Sequence, residues 1–457
     1  MKRSIHVVIS LLLVFMLLMS GCSSNQPSPS PSASANPTAS PDASQPAKSD
    51  VTLTYWAAPL ASNERTIEVW DSVFKGLKEE TGISVKMEVV PWADTTKKVT
   101  TAITSGVGPD IIGCGNNMSV QLSPTGALLP LNAERMAKIG GADIFYPNVT
   151  GEEGKDPVTI SLNNGVHLLV YNVEAYKSVG LETIPEDWDT FIKAAQKLTK
   201  DTNGDGKFDV YGFGMFGKPT QSWKMFYNRF VQHGGELLDS QGIPGFNSQA
   251  GKDTLQFIGD MIAKYQIVPP VAAEWTQDDM NNAFINGQIF AGTIDNETIG
   301  TLKKSAIKDN FMIAELPYIL PGKTDGTRCS GHTGGSNLGI FSKTKYEEEC
   351  LKFLAYVSRP EISEKVCSEF GVLSAVKAVY EGKELDPMTK VQIDVTNRAA
   401  VTMPLRPYFL PSINATATTV QNVMFAAATN SLTSQLIEDE LVKLDGEVRS
   451  KVQAAAK

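Results

Sequence analysis

The chain has 457 residues, 42% of them hydrophobic and 20% charged, with a formal charge of −9 at pH 7. That length exceeds what one hydrophobic core organises and suits two large lobes. The acidic balance argues against nucleic acid or an anionic membrane surface as the main partner. Met1-Lys2-Arg3 is followed by an apolar stretch from Val7 to Met19 and then by Ser20-Gly21-Cys22. A basic start, a short apolar core and small residues before a cut read residues 1–21 as a secretory signal peptide. The alternative, a membrane-spanning anchor, needs roughly 20 apolar residues, more than this stretch supplies. Its removal takes away two cations and no acid, which moves the charge from −9 to −11.

"LMSGC" resembles the bacterial lipobox, with Met19 where Leu is commoner. The resemblance implies that Cys22 receives a diacylglyceryl group and becomes the mature N-terminus. Residues 22–50 are then the lipidated Cys and a disordered Ser/Pro/Ala tether with no apolar periodicity. As a flexible coil it spans roughly 30 Å, and as polyproline II about 85 Å.

In the body, Val51 to Trp56 reads as a strand with Val51, Leu53 and Tyr55 on one face. Asn63 opens a helix in which Ile67, Trp70, Phe74 and Leu77 recur at helical spacing, closed by Gly82. Ile83, Val85, Met87 and Val89 alternate as a second strand. A helix with Val99 and Ile103 leads to a third at Asp110 to Ile112. This β-α-β-α-β order predicts an α/β fold with a parallel sheet and helices on both faces. Ligands bind such sheets beyond the carboxyl ends of the strands, where Trp56 and Gly113-Cys114-Gly115-Asn116-Asn117 fall. A second unit opens with a strand at Val166 to Tyr171. It continues through helices at Trp188 to Leu198, Trp223 to His233 and Thr254 to Tyr265, and "FINGQIFAGTIDN" returns a strand to a loop.

Within "DTNGDGKFDVYG", Asp201, Asn203, Asp205, Lys207 (through its carbonyl) and Asp209 fall on ligand positions of a calcium loop, with Gly206 at the sharp turn. The twelfth position should be a bidentate Glu and is Gly212. The stretch is either a structural calcium site completed by a remote Glu or an Asx-rich turn. Cys114, Cys329, Cys350 and Cys367 remain besides Cys22. If Ser358 to Pro360 turns between two helices, Cys350 and Cys367 come to similar heights, which allows a bridge; buried free thiols are the alternative.

An exported glycosidase is a remote alternative, because paired carboxylates are common here. The chain has no Gly-x-Ser-x-Gly, no His-Glu-x-x-His and no Gly-Lys-Ser/Thr loop, and His167, His233 and His332 are isolated. These absences argue against an enzyme.

"TSGVGPDIIGCGNN" resembles the extracellular solute-binding proteins of ABC importers, akin to maltose-binding and multiple-sugar-binding proteins. "LTYWAAP", "TGALLPLN", "LLVYNVEAYKSVG", "PEDWDTFIKAAQKL", "FINGQIFAGTID", "GGSNLGIFSKTKYEEECLKFLAYVSRPE" and "LTSQLIEDELVKLDGEV" follow in family order over nearly the whole body. The resemblance implies a two-lobed periplasmic-binding-protein-like fold of type II, with the ligand cleft between lobes joined by crossover hinges. Lobe one would comprise residues 51–161 and 316–358, and lobe two residues 164–312 and 361–457.

A sugar cleft needs Asp, Asn, Glu and Arg beside Trp and Tyr, because hydroxyls require paired donors and acceptors while C–H faces lie on aromatic rings. The candidates are Trp56, Asn116, Asn117, Asn163, Asn164, Trp223, Trp275, Asp295, Gly335, Arg406 and Tyr408. Cys114 stands where maltose-type relatives carry an aromatic, and Asp110 of the Pro-Asp pair is expected to be structural. The implied partners are a carbohydrate, an ABC permease with its ATPase, and the membrane through the lipid anchor. No nucleic acid and no required cofactor are implied. The protein would be a monomer on the outer face of the cell membrane. The alternatives are a non-carbohydrate solute, for which a phosphate would want clustered Arg or Lys, and a sensor for a histidine kinase.

Overall fold

Alternation decides the first strand. In β1 (Thr52–Ala57), Leu53, Tyr55 and Ala57 are buried while Thr52 and Thr54 are exposed. The computed structural model describes residues 49–60, 62–148, 150–152, 154–219, 221–238, 243–318, 331–398, 400–401 and 409–455. The signal, Cys22, the tether up to residue 48, Cys329 and the candidates Arg406 and Tyr408 lie outside the described residues. Among the helices described, none is long and apolar enough to cross a membrane.

Helix Asn63–Thr81 follows β1. The Ser62 side chain accepts from the Arg65 N–H, and Gly82 ends the helix with φ 80, a left-handed conformation that costs glycine least. Its inward stripe is Thr66, Val69, Trp70, Val73, Phe74 and Leu77. Ile67, expected on that stripe, is 43% exposed, because the helix turns its Trp70 and Phe74 rings onto Tyr55 and Phe353. β2 (Ser84–Val89) and β3 (Ile111–Gly115) both pair parallel with β1. Asp110 locks this junction: Oδ2 accepts from the Thr54 N–H at 2.8 Å and its hydroxyl at 2.7 Å, and Oδ1 accepts from Thr344 at 2.6 Å. The sheet is completed by β4 (Thr159–Ser161) and β10 (Ser336–Ile340), in the order β2-β1-β3-β10-β4, with β10 antiparallel to both neighbours.

The second lobe centres on β6 (Leu168–Asn172), flanked antiparallel by β7 (Ala291–Ile294) and β8 (Phe311–Ala314). Helices Trp188–Leu198, Trp223–Gln232, Gln249–Ala263, Phe409–Ala428 and Ser434–Ala455 supply its main core. The third of these starts five residues before Thr254, because the Ser248 side chain caps the Gly251 N–H. Aromatic edges hold it together, with Trp188, Phe191 and Phe213 at centroid separations of 5.2–5.8 Å.

Between the lobes lies a small sheet in the order β11-β5-β9-β12, made of β5 (Asn163–Val166), β9 (Gly331–Gly334), β11 (Leu373–Ser374) and β12 (Ala400–Val401). The chain crosses from β4 through Leu162 into β5, from β9 through Gly335 into β10, and again after helix Pro360–Phe370, through β11, to helix Pro387–Arg398. The apolar run at Val166 to Tyr171, read as one strand, is thus split at His167, where the chain leaves the crossing sheet for that of lobe two. Helix Pro360–Phe370 packs Val366, Cys367 and Phe370 into the first core with Leu53 and Trp70, whereas the sequence reading assigns residues from 361 onward to lobe two.

Cys114, Cys350 and Cys367 are buried free thiols, so the Cys350–Cys367 bridge held open above is not formed. The two point to different carbonyls, Cys350 to Asp110 and Cys367 to Leu162.

Candidate ligand cleft

Helix Trp223–Gln232 buries every residue except Val231, including Lys224 and Asn228 one turn apart. Lys224 Nζ lies 2.5 Å from Asp295 Oδ2, with side chains 7% and 22% exposed. Asp295 follows β7 and opens helix Asn296–Leu302, so a strand end and a buried helix meet at this pair. Asn228 donates from Nδ2 to His167 Nδ1 at 2.8 Å. An amide nitrogen can only donate, so Nδ1 accepts and the ring proton sits on Nε2. Burial pushes the His167 pKa down to about 4, with Asp295 opposing and Lys224 and Arg229 adding to the effect. The ring is neutral at neutral pH. Glu297 reaches solvent but stands among crowded walls: lost solvation first, then Asp295, raises its carboxyl pKa, and Lys224 opposes this.

The crossing contributes amides. Asn116, buried at the head of helix Asn116–Leu122, donates from Nδ2 to Asn148 Oδ1 at 2.7 Å. Asn148 donates in turn to Asn164 Oδ1 at 2.8 Å. Asn163 is fully buried and its Oδ1 accepts from the Ser336 N–H at 3.0 Å, so it braces the second crossing. Gly335 has φ 135, and a Cβ there would stand 2.1 Å from the Asn163 carbonyl oxygen. Its lack of a side chain is what lets these two crossings touch.

Asn116, Asn164 and, through Asn163, Gly335 are thus gathered at the crossing, while Asp295 stands with Lys224. Trp56 is half-buried, and Lys98 lies 4.3 Å from its ring centroid, so one face is already covered by a cation of the same chain. Trp223 is 4% exposed and packs edge-on to Tyr227 in the core. Trp275 is half-buried against the lobe-two core, and Asn117 is half-buried beside Asn116. A crevice of about 970 Å³ is lined by Leu60 and Arg65 from the first lobe and Asn281, Glu297 and Thr301 from the second. None of the nominated residues among those described lines it; Glu297, two residues from Asp295, does.

Sequence reasoning missed Lys224, Glu297 and Asn148. For Lys224 a signal existed, since Lys224, Asn228 and Gln232 recur at i, i+4 and i+8 on one face of the helix.

The calcium loop is occupied with its own backbone. Asp201 accepts from the Gly204 and Gly206 N–H groups, Asn203 from Asp205, and Asp205 from Lys207. Asp209 accepts from the Thr202 N–H and hydroxyl. Among the described residues no group of three or more His, Cys, Asp or Glu converges to hold a metal ion. Gly212 explains the missing twelfth ligand: a Cβ there would stand 2.2 Å from the Ala195 carbonyl oxygen. This arrangement gives calcium no support among the described residues and matches an Asx-rich turn.

A model of the family described as bacterial extracellular solute-binding protein matches residues 61–364, well over half the chain. The chain belongs to that family. This solute-binding protein is 25% identical over 337 residues to a probable amino-acid ABC transporter periplasmic-binding protein of Sinorhizobium fredii, covering 70% of this chain and 73% of the relative. It is 27% identical over 375 residues to a multiple sugar-binding protein of Streptococcus mutans, covering 76% and 81%. An ABC transporter solute-binding protein of Thermotoga lettingae, solved with α-D-tagatose, matches the fold with a TM-score of 0.73 at 23% identity, over 87% of this chain and 99% of that one. The two-lobed fold expected from the sequence is therefore the fold of the protein, and its family is one of ABC-transporter binding proteins.

Proposed function

We propose that the protein captures a carbohydrate of oligosaccharide size between its lobes and delivers it to an ABC permease driven by its ATPase. The observation that carries this reading is the charge-compensated polar wall at Lys224, Asp295 and Glu297. An uncharged polyol needs acceptors and donors without net positive charge. A phosphate ligand would need free clustered cations, and the Lys224 charge is taken up by Asp295. The multiple sugar-binding relative and the tagatose-bound fold neighbour support the class. Hinge closure about the crossing sheet would signal loading. Asn116, Asn117, Asp295 and Glu297 are the residues we assign to ligand, with Trp56 and Trp275 as candidate platforms and Asn163, Asn164 and Gly335 as hinge supports. Cys22 would carry the lipid that tethers a monomer to the outer face of the membrane, which intact-mass measurement of the mature N-terminus tests.

A second reading, an amino acid, is favoured by the Sinorhizobium relative's description and by the Lys224–Asp295 pair, whose opposite charges a zwitterion could replace. A thermal-shift panel of mono-saccharides, oligosaccharides and amino acids on the purified protein separates the two, because a ligand of the native state raises the melting temperature by mass action. A rise selective for one sugar series supports the proposal. A rise with amino acids and with no sugar overturns it.

A further inference from the structure

A chain of side-chain amides runs from one lobe to the other through the first crossing. Asn116 donates to Asn148 at 2.7 Å, and Asn148 donates to Asn164 at 2.8 Å. The Asn164 carbonyl oxygen accepts from Asn296 Nδ2 at 3.4 Å, and the same nitrogen donates to Gln392 Oε1 at 2.8 Å. Asn296 Oδ1 accepts the Val166 N–H of β5 at 2.8 Å. Asn116, Asn164, Asn296 and Gln392 are all buried. One end of the chain is the head of the helix that follows β3 in lobe one. The other is the head of the helix that follows β7 in lobe two, beside Gln392 of helix Pro387–Arg398.

Each end is joined by one peptide bond to a residue assigned to ligand. Asn117 follows Asn116, and Asn296 lies between Asp295 and Glu297. A rotation of the lobes about β5 must change the Asn148–Asn164 or Asn164–Asn296 distance, and a buried amide that loses its partner there is left unsatisfied. The cradle at Gly335 belongs to the same device: a Cβ there would stand 3.3 Å from Asn148 Nδ2 as well as against Asn163.

We infer that Asn148 and Asn296 are positioning residues of ligand capture, which tie the angle between the lobes to the placement of both cleft walls. This rests on the reading that a solute is held between the lobes, but it is tested without one. The experiment follows interlobe distance by energy transfer between dyes at the exposed positions Lys86 and Val442, and backbone hydrogen exchange in β5, in ligand-free protein. Asn148→Leu removes the bonds to Asn116 and Asn164. Asn148→Asp keeps the acceptor for Asn116 and loses the donor to Asn164, and serves if the Leu variant does not fold. Asn296→Asp keeps the acceptor for Val166 and loses both donors.

The expected result is a broader interlobe distance distribution in all variants. Exchange at Gly165 and Val166 should rise at least tenfold in Asn148→Leu, while Leu169 and Val170 of β6 stay within twofold of the parent. Unchanged distance distributions and unchanged β5 exchange, with only a lower melting temperature, would make these amides packing residues and overturn the inference. Failure of every sugar to bind would sink the carbohydrate reading and leave this result standing on its own.

Discussion

Lys224 Nζ and Asp295 Oδ2 stand 2.5 Å apart, the lysine from a helix of the second lobe and the aspartate from the end of β7. Removing one partner of such a pair leaves an uncompensated charge, which costs about 3–5 kcal/mol when burial is deep. Asp295→Asn strands Lys224, the more buried of the two, and should lower the melting temperature more than Lys224→Met. The double variant should recover most of the stability, since no lone charge remains. Ligand affinity should stay lost in the double variant if the aspartate carboxylate meets ligand. Calorimetry with the sugar found by the thermal-shift panel checks this. Parent-like affinity in the double variant would place the pair outside the site.

His167 gives the protein a stability slope in mild acid. Its pKa is pushed down to about 4 in the fold from 6.5, first by burial, so the unfolded chain binds the extra proton between those values. Its contribution is complete above pH 6.5 and is lost as pH falls through about 4. The size is on the order of 3 kcal/mol by linkage. His167→Gln keeps an acceptor for Asn228 and has no titrating group, so its melting temperature should fall less between pH 6.5 and pH 4.5 than that of the parent. Parallel curves for the two proteins would remove His167 as the cause.

Much of the fold was legible because its signals are local. The alternation of Leu53, Tyr55 and Ala57, and the helical stripe of Trp70, Phe74 and Leu77, each need a few neighbouring residues. The break at His167 was not, because apolar residues flank it on both sides, Val166 before and Leu168 to Tyr171 after, and only pairing with two different sheets divides the run. The site shows the same contrast. Asp295 could be nominated as an acid at a strand end. Lys224 could not be paired with it, since the partner lies 71 positions away. Asn148 sits in a loop with no period to mark it, and its role comes from Asn116 and Asn164 on separate elements. Trp223 opens a helix whose N-terminal turn is buried, so its position near a helix end does not bring it to the surface.

The Asp201 to Gly212 turn should be indifferent to calcium. Its carboxylates already accept backbone N–H groups, and the position that should supply a bidentate Glu is held against the backbone of helix Trp188–Leu198. Millimolar calcium and excess chelator should give the same melting temperature. A calcium-dependent rise would mean that an acid from elsewhere completes the shell. Gly212→Ala is the complementary variant: its Cβ would press on the Ala195 carbonyl oxygen, and overpacking of this kind costs about 1–3 kcal/mol.

The three described cysteines should behave as inert core residues. Burial pushes the Cys114 thiol up to about 11 and the Cys350 and Cys367 thiols up to about 12, so almost no thiolate exists at pH 8. Each sulfur also has its own polar neighbour, Ser119, the Asp110 carbonyl and the Leu162 carbonyl respectively, which keeps Cys350 and Cys367 aimed at different points. Iodoacetamide at pH 8 should leave all three unmodified in the native protein and modify all three once it is unfolded without reductant. Reductant should not change the melting temperature. A Cys350–Cys367 pair that resists alkylation until reduced would show a bridge, and the helices Glu347–Val357 and Pro360–Phe370 would then have to move to bring the two sulfurs together.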